Sequence, residues 1–255
     1  MGILEGKNVL ITGVLTDASL AFGIAELAQA EGANIILTGA GRGLSLTSRT
    51  ARKLDVEPEV LEFDVTDPTH VPALRDRLQS TWGRVDAALH AIGFAPEACL
   101  GDDFMGATWD DVKVALEIST YSYKTLAEVV TPLMTEGGSV VGLDFDATVA
   151  WPAYNWMGVA KAALESTNRY LAKAHGPANI RFNLVAAGPI RTMAAKSIPA
   201  FAKFEDVWDD KAPLGWDVRD SSAVARTTVA LLSDWFPATT GSMIHADGGY
   251  HIMGA

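Results

Sequence analysis

Seven short runs rich in aliphatic and β-branched residues punctuate the chain: NVLIT (8–12), NIILT (34–38), EVLEFDV (59–65), DAALHAI (86–92), GSVVGLDF (138–145), IRFNLVAAG (180–188) and SMIHADGG (242–249). VLIT and IILT are apolar at nearly every position rather than at alternate ones, the pattern of strands covered on both faces. Helix-length segments stand between them, with Ile24, Leu27, Ala28 and Glu31 at helical spacing, and Leu126, Val129, Val130 and Leu133 likewise. This alternation predicts a single doubly wound α/β domain over residues 1–255, with a seven-stranded parallel sheet and helices on both faces. No low-complexity linker or internal repeat interrupts the rhythm. The longest stretch without a strong pattern runs from Arg191 to Trp216 and contains Pro199, Pro213 and Gly215. A segment of that length after a late strand is either a lid over a site or an irregular surface connection.

Composition narrows the partners. The chain has 255 residues, 49% of them hydrophobic, and a formal charge of −11. That charge repels phosphate backbones and anionic lipid, so neither nucleic acid nor a membrane is an expected partner. The one cysteine, Cys99, cannot form an internal disulfide, and MGILEGKNVLITG lacks a basic region followed by a long apolar run, so the expected setting is cytoplasmic. No apolar run approaches the roughly 20 residues of a membrane-spanning helix. His70, His90, His175, His245 and His251 are scattered without a His-x3-His pair, and no Gly-x-Ser-x-Gly elbow occurs. Metal and serine-hydrolase chemistry are therefore not expected.

The first strand runs into GVLTDASLAFGIAELA, where Gly13 opens the turn and Ser19 begins the apolar periodicity. Gly13 and Gly23 are ten apart, so the usual three-glycine dinucleotide fingerprint is absent. A small residue and a helix N-terminus still suit a pyrophosphate, and Ser19 is a candidate for a phosphate contact, for an N-cap, or for both. After the second strand stand Gly39, Ala40, Gly41 and Arg42, which do not decide between NADH and NADPH. Asp64 and Val65 follow the third strand, where a carboxylate could accept from an adenine amino group; DPTH (67–70) is a helix-start signal, so one of these acids is a capping candidate instead. Gly93, after His90-Ala91-Ile92, suits either close backbone approach to a cofactor or a tight turn.

AYNWMGVAK (153–161) carries Tyr154 and Lys161, seven residues apart, after the fifth strand. On one helix that spacing leaves two side chains about 20° apart around the axis and about 10.5 Å apart along it. The lysine stem leans toward the helix N-terminus, which brings its ammonium group toward a ligand lying between the two positions. The other reading is a packing tyrosine and a surface lysine.

The spacing Tyr-x6-Lys in AYNWMGVAKAALE, together with GVLTDASLAFGIA, LTG (37–39), LEFDV, HAIGF, TYSY (120–123), VGLDFD, NLVAAGPIRT, APLGW, ALLSDW, ATTG and ADGG, resembles the enoyl-[acyl-carrier-protein] reductases, a divergent branch of the short-chain dehydrogenases with a Rossmann-like fold. The matches run from residue 2 to about residue 249, weakest between Lys196 and Asp210, and are most similar to the mycolic-acid-pathway subgroup because Phe145 occupies a position that is tyrosine in many other members. The resemblance implies hydride transfer from NADH, with NADPH not excluded, to the β-carbon of a trans-2-enoyl thioester during fatty-acid elongation. It implies that Tyr154 donates to the thioester carbonyl, that Lys161 holds the nicotinamide ribose, and that Phe145 shapes the pocket beside the transferred hydride. It further implies cofactor contacts from Gly13, Ser19, Leu20, Asp64, Val65, Ile92, Gly93, Lys161, Ile190 and Thr192, an acyl pocket that includes Met157, and a substrate lid at about 193–212. Ala91 stands where the family often has serine, which removes a hydroxyl near the pyrophosphate. The lid looks shorter than in the long-chain subgroup, which predicts a shallower pocket and shorter acyl chains.

Two rivals predict different residues. A ketone or β-keto thioester reductase of this fold would carry Tyr-x3-Lys and a serine at the fifth strand, whereas position 158 is Gly158 and positions 144 and 145 are Asp144 and Phe145. A noncatalytic dinucleotide-sensing regulator needs neither Tyr154, Lys161 nor an apolar lid. The resemblance also implies a homotetramer, and the substrate carrier is either acyl-carrier protein or coenzyme A. For an acidic carrier protein, Arg191, Lys196 and Lys203 are the candidate basic patch.

Overall fold

 The computed structural model describes residues 2–193, 195, 201, 207, 208 and 210–254. All seven expected strands are present: β1 (Asn8–Thr12), β2 (Asn34–Gly39), β3 (Glu59–Glu62), β4 (Ala87–His90), β5 (Gly138–Asp144), β6 (Ile180–Ala187) and β7 (Met243–Ala246). They form one parallel sheet in the order β3-β2-β1-β4-β5-β6-β7. The strand order reverses between β1 and β4, and a crevice outside the carboxyl ends of strands forms at such a switch point. The register keeps those ends close together, with Ile11 level with both Leu37 of β2 and Leu89 of β4.

The helices whose bounds lie among the described residues include α1 (Leu20–Ala30), α2 (Gly41–Ala51), α3 (His70–Trp82), α4 (Trp109–Leu116), α5 (Ser122–Val130), α6 (Asn155–His175) and α7 (Ser222–Leu232). Apolar side chains of β1 feed two cores, as side chains alternate across a strand. Val9 and Ile11 pack with Ile24, Ala28 and Val229 from α1 and α7, whereas Leu10 packs with Leu78, Leu126 and Leu164 from α3, α5 and α6. Near-continuous hydrophobicity in the strands follows from this cover on both sides.

Two expected boundaries shift. Several strands end before the apolar runs do: β3 stops at Glu62 and β4 at His90, so Asp64, Val65, Ile92 and Gly93 lie in the loops beyond the sheet. The segment between β4 and β5 that carries the helical spacing of Leu126, Val129, Val130 and Leu133 is not one α-helix. Thr108 and Asp111 form a reciprocal cap that starts α4, a π turn over Glu117–Tyr121 follows, and α5 then gives way to a 3₁₀ turn at Thr131–Leu133 that contains Pro132. Among the described residues no helix is long and apolar enough to cross a membrane.

Candidate active site

The exits of β1 and β4 touch. Gly13 has φ +81°, and a Cβ there would lie 2.0 Å from the Ala91 carbonyl oxygen. Thr12 ties the same two exits together by donating from Oγ1 to the Leu89 carbonyl at 3.0 Å and accepting from the Ala91 N–H at 2.9 Å. Glycine is therefore demanded by both conformation and space. Ser19 immediately precedes α1, but its hydroxyl bonds back to Thr16 and makes no side-chain cap on the helix. The side-chain capping role considered for Ser19 is thus not formed. Leu20 is the first residue of α1 and is half-buried.

At the β3 exit, the Asp64 N–H donates to His70 Nδ1 at 2.9 Å, and Asp64 Oδ1 accepts from the Thr66 N–H and hydroxyl at 2.9 and 2.7 Å. Asp67 makes the matching pair of bonds to Thr69, directly before α3. Neither acid caps the helix itself: Asp67 holds Thr69, the N-cap of α3, while Asp64 braces the strand exit beside half-buried Val65. Arg42 is exposed in the first turn of α2. Ile92 is half-buried and Gly93 exposed, and a Cβ on Gly93 would lie 3.8 Å from Met157 Cε. This joins the β4 exit to the start of α6.

Tyr154 does not lie within the regular turns of α6. It is the N-cap, between Ala153 at φ +58° and Asn155 at φ +48°. The simple face-sharing geometry of a seven-residue helical spacing therefore does not apply, because the chain enters the helix through two left-handed residues. Such conformations cost on the order of 1–3 kcal/mol each and persist where surrounding contacts fix them. Here the Asn155 amide donates to the carbonyls of Gly101 and Asp103 at 3.2 and 3.1 Å. The Tyr154 ring is 6% exposed and meets Phe145 edge-on, with centroids 5.0 Å apart.

Lys161 is 7% exposed, which overturns its reading as a surface charge. Its Nζ donates to the Leu143 carbonyl at 2.9 Å and lies 3.6 Å from Asp144 Oδ1. Burial raises the Asp144 carboxyl to about 7, against the opposing pull of the Lys161 charge. Burial, followed by the Asp144 charge, also holds the Tyr154 phenol well above its ordinary value. Tyr154 is accordingly a neutral hydrogen-bond donor at physiological pH. His90, fully buried, is pushed down to about 3 by burial and then by the Lys161 charge, so its imidazole is neutral.

Phe145 stands at the edge of an aromatic cluster. Its ring is 5.1 Å from Trp151 and 6.0 Å from Trp208, and Trp208 stacks on Tyr250 at 3.8 Å. These four rings help enclose a cavity of about 10 Å³. Tyr154 instead lines a separate open cleft of about 690 Å³, together with Phe104, Trp151 and Val159. Met157 borders neither of these two spaces. At the β6 exit Ile190 is buried, and Thr192 Oγ1 accepts from the Ala195 N–H at 3.0 Å. Of the expected lid, Met193, Ala195, Phe201, Val207, Trp208 and 210–212 are described; Lys196 and Lys203 of the candidate basic patch lie outside the described residues.

The crevice thus combines a glycine at which two strand exits touch, a helix N-terminus, and a buried tyrosine near a buried lysine, which fits a dinucleotide with its reactive end beside β5. The family model described as enoyl-(acyl carrier protein) reductase matches residues 13–251. The chain belongs to this family. The chain is 48% identical to the enoyl-[acyl-carrier-protein] reductase [NADH] of Mycolicibacterium smegmatis, with 97% of each chain covered. It is 43% identical to that of Mycobacterium avium, again over 97% of each. With the enzyme of Aquifex aeolicus, named FabI, identity is 38%, covering 100% of this chain and 94% of the relative.

Within this reductase family fold, several polar residues that sequence reasoning passed over support the site. Ser119 and Thr120 lie in the π turn: Ser119 bonds to Phe94, and Thr120 Oγ1 donates to the Ala160 carbonyl at 2.6 Å, one residue before Lys161. Ser122 Oγ lies 2.7 Å from His90 Nε2. The motif TYSY marked this region, but no spacing rule reveals a π turn. Asp144 has one signal in the sequence, a carboxylate at the end of an otherwise apolar strand.

Proposed function

We propose that the chain reduces the trans-2 double bond of enoyl thioesters with NADH, in the elongation cycle of fatty-acid synthesis. The observation that carries this reading is a neutral, buried Tyr154 packed on Phe145 at the end of β5, with the Lys161 ammonium group at the same strand end. The named relatives are NADH enzymes, and the residues at the end of β2 and just after it, Gly39 to Gly41 and exposed Arg42, do not decide between NADH and NADPH.

Gly13, Ser19 and Leu20 would hold the pyrophosphate end of the cofactor, Asp64 and Val65 the adenine end, and Ile92, Gly93, Ile190 and Thr192 the walls between. Lys161 would hold the nicotinamide ribose. Bound NADH supplies the hydride. Tyr154 donates its hydroxyl proton into a hydrogen bond with the thioester carbonyl, where negative charge collects as the β-carbon is reduced. A donor aimed at that oxygen gains strength as the charge develops, an effect of about 2.7–4 kcal/mol for one well-placed group. Phe145 and Met157 keep the reacting end of the substrate in an apolar setting, and the segment at about 193–212 covers it.

We further propose one catalytic domain over 1–255, a homotetramer, a cytoplasmic setting, and a substrate presented on acyl-carrier protein or coenzyme A. The decisive test follows NADH and NADPH oxidation with trans-2-enoyl thioesters, alongside Tyr154→Phe. Turnover with NADH that falls about 100-fold or more in the variant, with NADH affinity retained, supports the reading. Equal turnover in wild type and variant would remove Tyr154 from the mechanism, and absence of turnover with either carrier would remove the assignment.

A further inference from the structure

Asp144 is the last residue of β5, and its side chain is 0% exposed. Neither carboxylate oxygen makes a hydrogen bond of good geometry, although the Phe145 N–H and the Lys161 ammonium group lie close enough to favour the ionised form. A buried carboxylate so weakly partnered is costly, and it persists where its surroundings constrain it or where it has a task. The nearest opposite charge is Lys161 Nζ, 3.6 Å away and already bonded to the carbonyl of the preceding residue, Leu143. That distance is too long for a direct N–H···O bond and short enough to close by a small swing of a four-carbon stem. The ammonium group therefore has two alternatives, inward to Asp144 or outward to a ligand in the crevice.

We propose that Asp144 is a positioning residue that acts through Lys161: ionised, its carboxylate draws the ammonium group into the β5 end, and protonated, it releases that group toward the cofactor. This rests on the reading that Lys161 contacts the nicotinamide ribose. The other titratable groups around the pair are accounted for. From α6, Glu165 disfavours ionisation of Asp144, and Tyr154 feels the Asp144 charge. From α5, Tyr123 feels it too, and both phenols are held protonated by burial. From β4, His90 faces Lys161 and is held neutral. Asp144 is therefore the group of this cluster whose charge changes near neutrality, at about 7.

The experiment measures kcat/KM for NADH between pH 5.5 and 8.5 in wild type, Asp144→Asn and Lys161→Met. Wild type should lose several-fold in kcat/KM as pH rises through the neutral range. Asp144→Asn, which keeps the shape and cannot ionise, should be flat and match the low-pH wild-type value. A neutral limb that survives in Asp144→Asn, a wild type without one, or a flat variant at the high-pH value would each overturn the proposal. Lys161→Met separates the underlying reading: if it binds NADH like wild type, the lysine is not a cofactor contact, whereas lost binding with an unaltered Asp144→Asn profile sinks the Asp144 role alone. A measurement that needs no variant is carboxyl carbon NMR of the wild-type protein labelled at aspartate. One carboxyl titrating near neutrality is expected, and complete titration of every aspartate below pH 5 would overturn the switch.

Discussion

Ser119 and Phe94 exchange two hydrogen bonds, with the Phe94 N–H donating to Ser119 Oγ at 2.9 Å and that hydroxyl donating to the Phe94 carbonyl at 2.8 Å. One side chain in the π turn thereby holds the loop that carries Ile92 and Gly93. Ser119→Ala leaves a backbone donor and acceptor without this partner, which costs about 1–3 kcal/mol where water cannot replace it. The expected result is a lower melting temperature and NADH affinity weakened more than kcat. Thermal melts and fluorescence titration with NADH check this, and unchanged NADH affinity would show that the loop does not depend on the bond.

Gly13 offers a cleaner contrast, because Gly6 shares its left-handed conformation without its crowding. Their φ values are +81° and +70°, but a Cβ at Gly13 would meet the Ala91 carbonyl oxygen at 2.0 Å, and one at Gly6 would meet nothing within 4 Å. Gly6→Ala should cost only the backbone term of about 1–2 kcal/mol. Gly13→Ala should cost more and also weaken NADH binding, since the β1 and β4 exits must separate. Equal melting temperatures for the two variants would mean that the contact relaxes freely.

The architecture was legible because buried parallel strands need continuous apolar runs, and VLIT, IILT and their counterparts have them. The strand-exit positions of Asp64, Gly93 and Phe145 followed from the same reading. What could not be read depends on backbone that no periodicity encodes. Tyr154 enters α6 between two left-handed residues, and Ser119 and Thr120 project from a π turn between α4 and α5. Lys161 had a second reading as a solvated charge, since lysine in an amphipathic pattern is ordinarily exposed, and only the fold turns it onto the Leu143 carbonyl.

Burial of Asp144 and His90 gives the protein two opposing pH dependences of stability. The Asp144 carboxyl is raised from 3.8 to about 7, so the folded state holds a proton that the unfolded chain has lost, and stability falls as pH rises through that window. The His90 imidazole is lowered from 6.5 to about 3, so the unfolded chain takes up a proton that the folded state refuses, and stability falls as pH drops from 6.5 toward 3. Each is on the order of 4 kcal/mol at full extent, at about 1.4 kcal/mol per pH unit, and their overlap flattens the wild-type profile. Asp144→Asn should therefore melt higher than wild type above pH 7, with the gap closing toward pH 4, and its stability should climb more steeply between pH 4 and 6.5. Thermal melts across this range test it; a gap that does not vary with pH would mean that the two carboxyl states are equally well accommodated.

Trp208 stacks on Tyr250 at 3.8 Å and closes with Phe145 and Trp151 around a cavity of only about 10 Å³. The aromatic cluster leaves no room there for an acyl chain, so depth beyond Phe145 is set by whether Trp208 yields. Its indole N–H also donates to the Asp247 carbonyl at 3.2 Å, which ties it to the segment after β7. Trp208→Ala would open the space, and each methylene newly admitted to an apolar pocket is worth about 1–3 kcal/mol. The ratio of kcat/KM for long over short enoyl thioesters should rise by on the order of tenfold or more. Trp→Ala in a packed site also costs about 3–5 kcal/mol of stability, so Trp208→Leu serves as a gentler companion, with melting temperature measured for both. A ratio that stays constant in both variants while the protein remains folded would show that acyl length is set elsewhere.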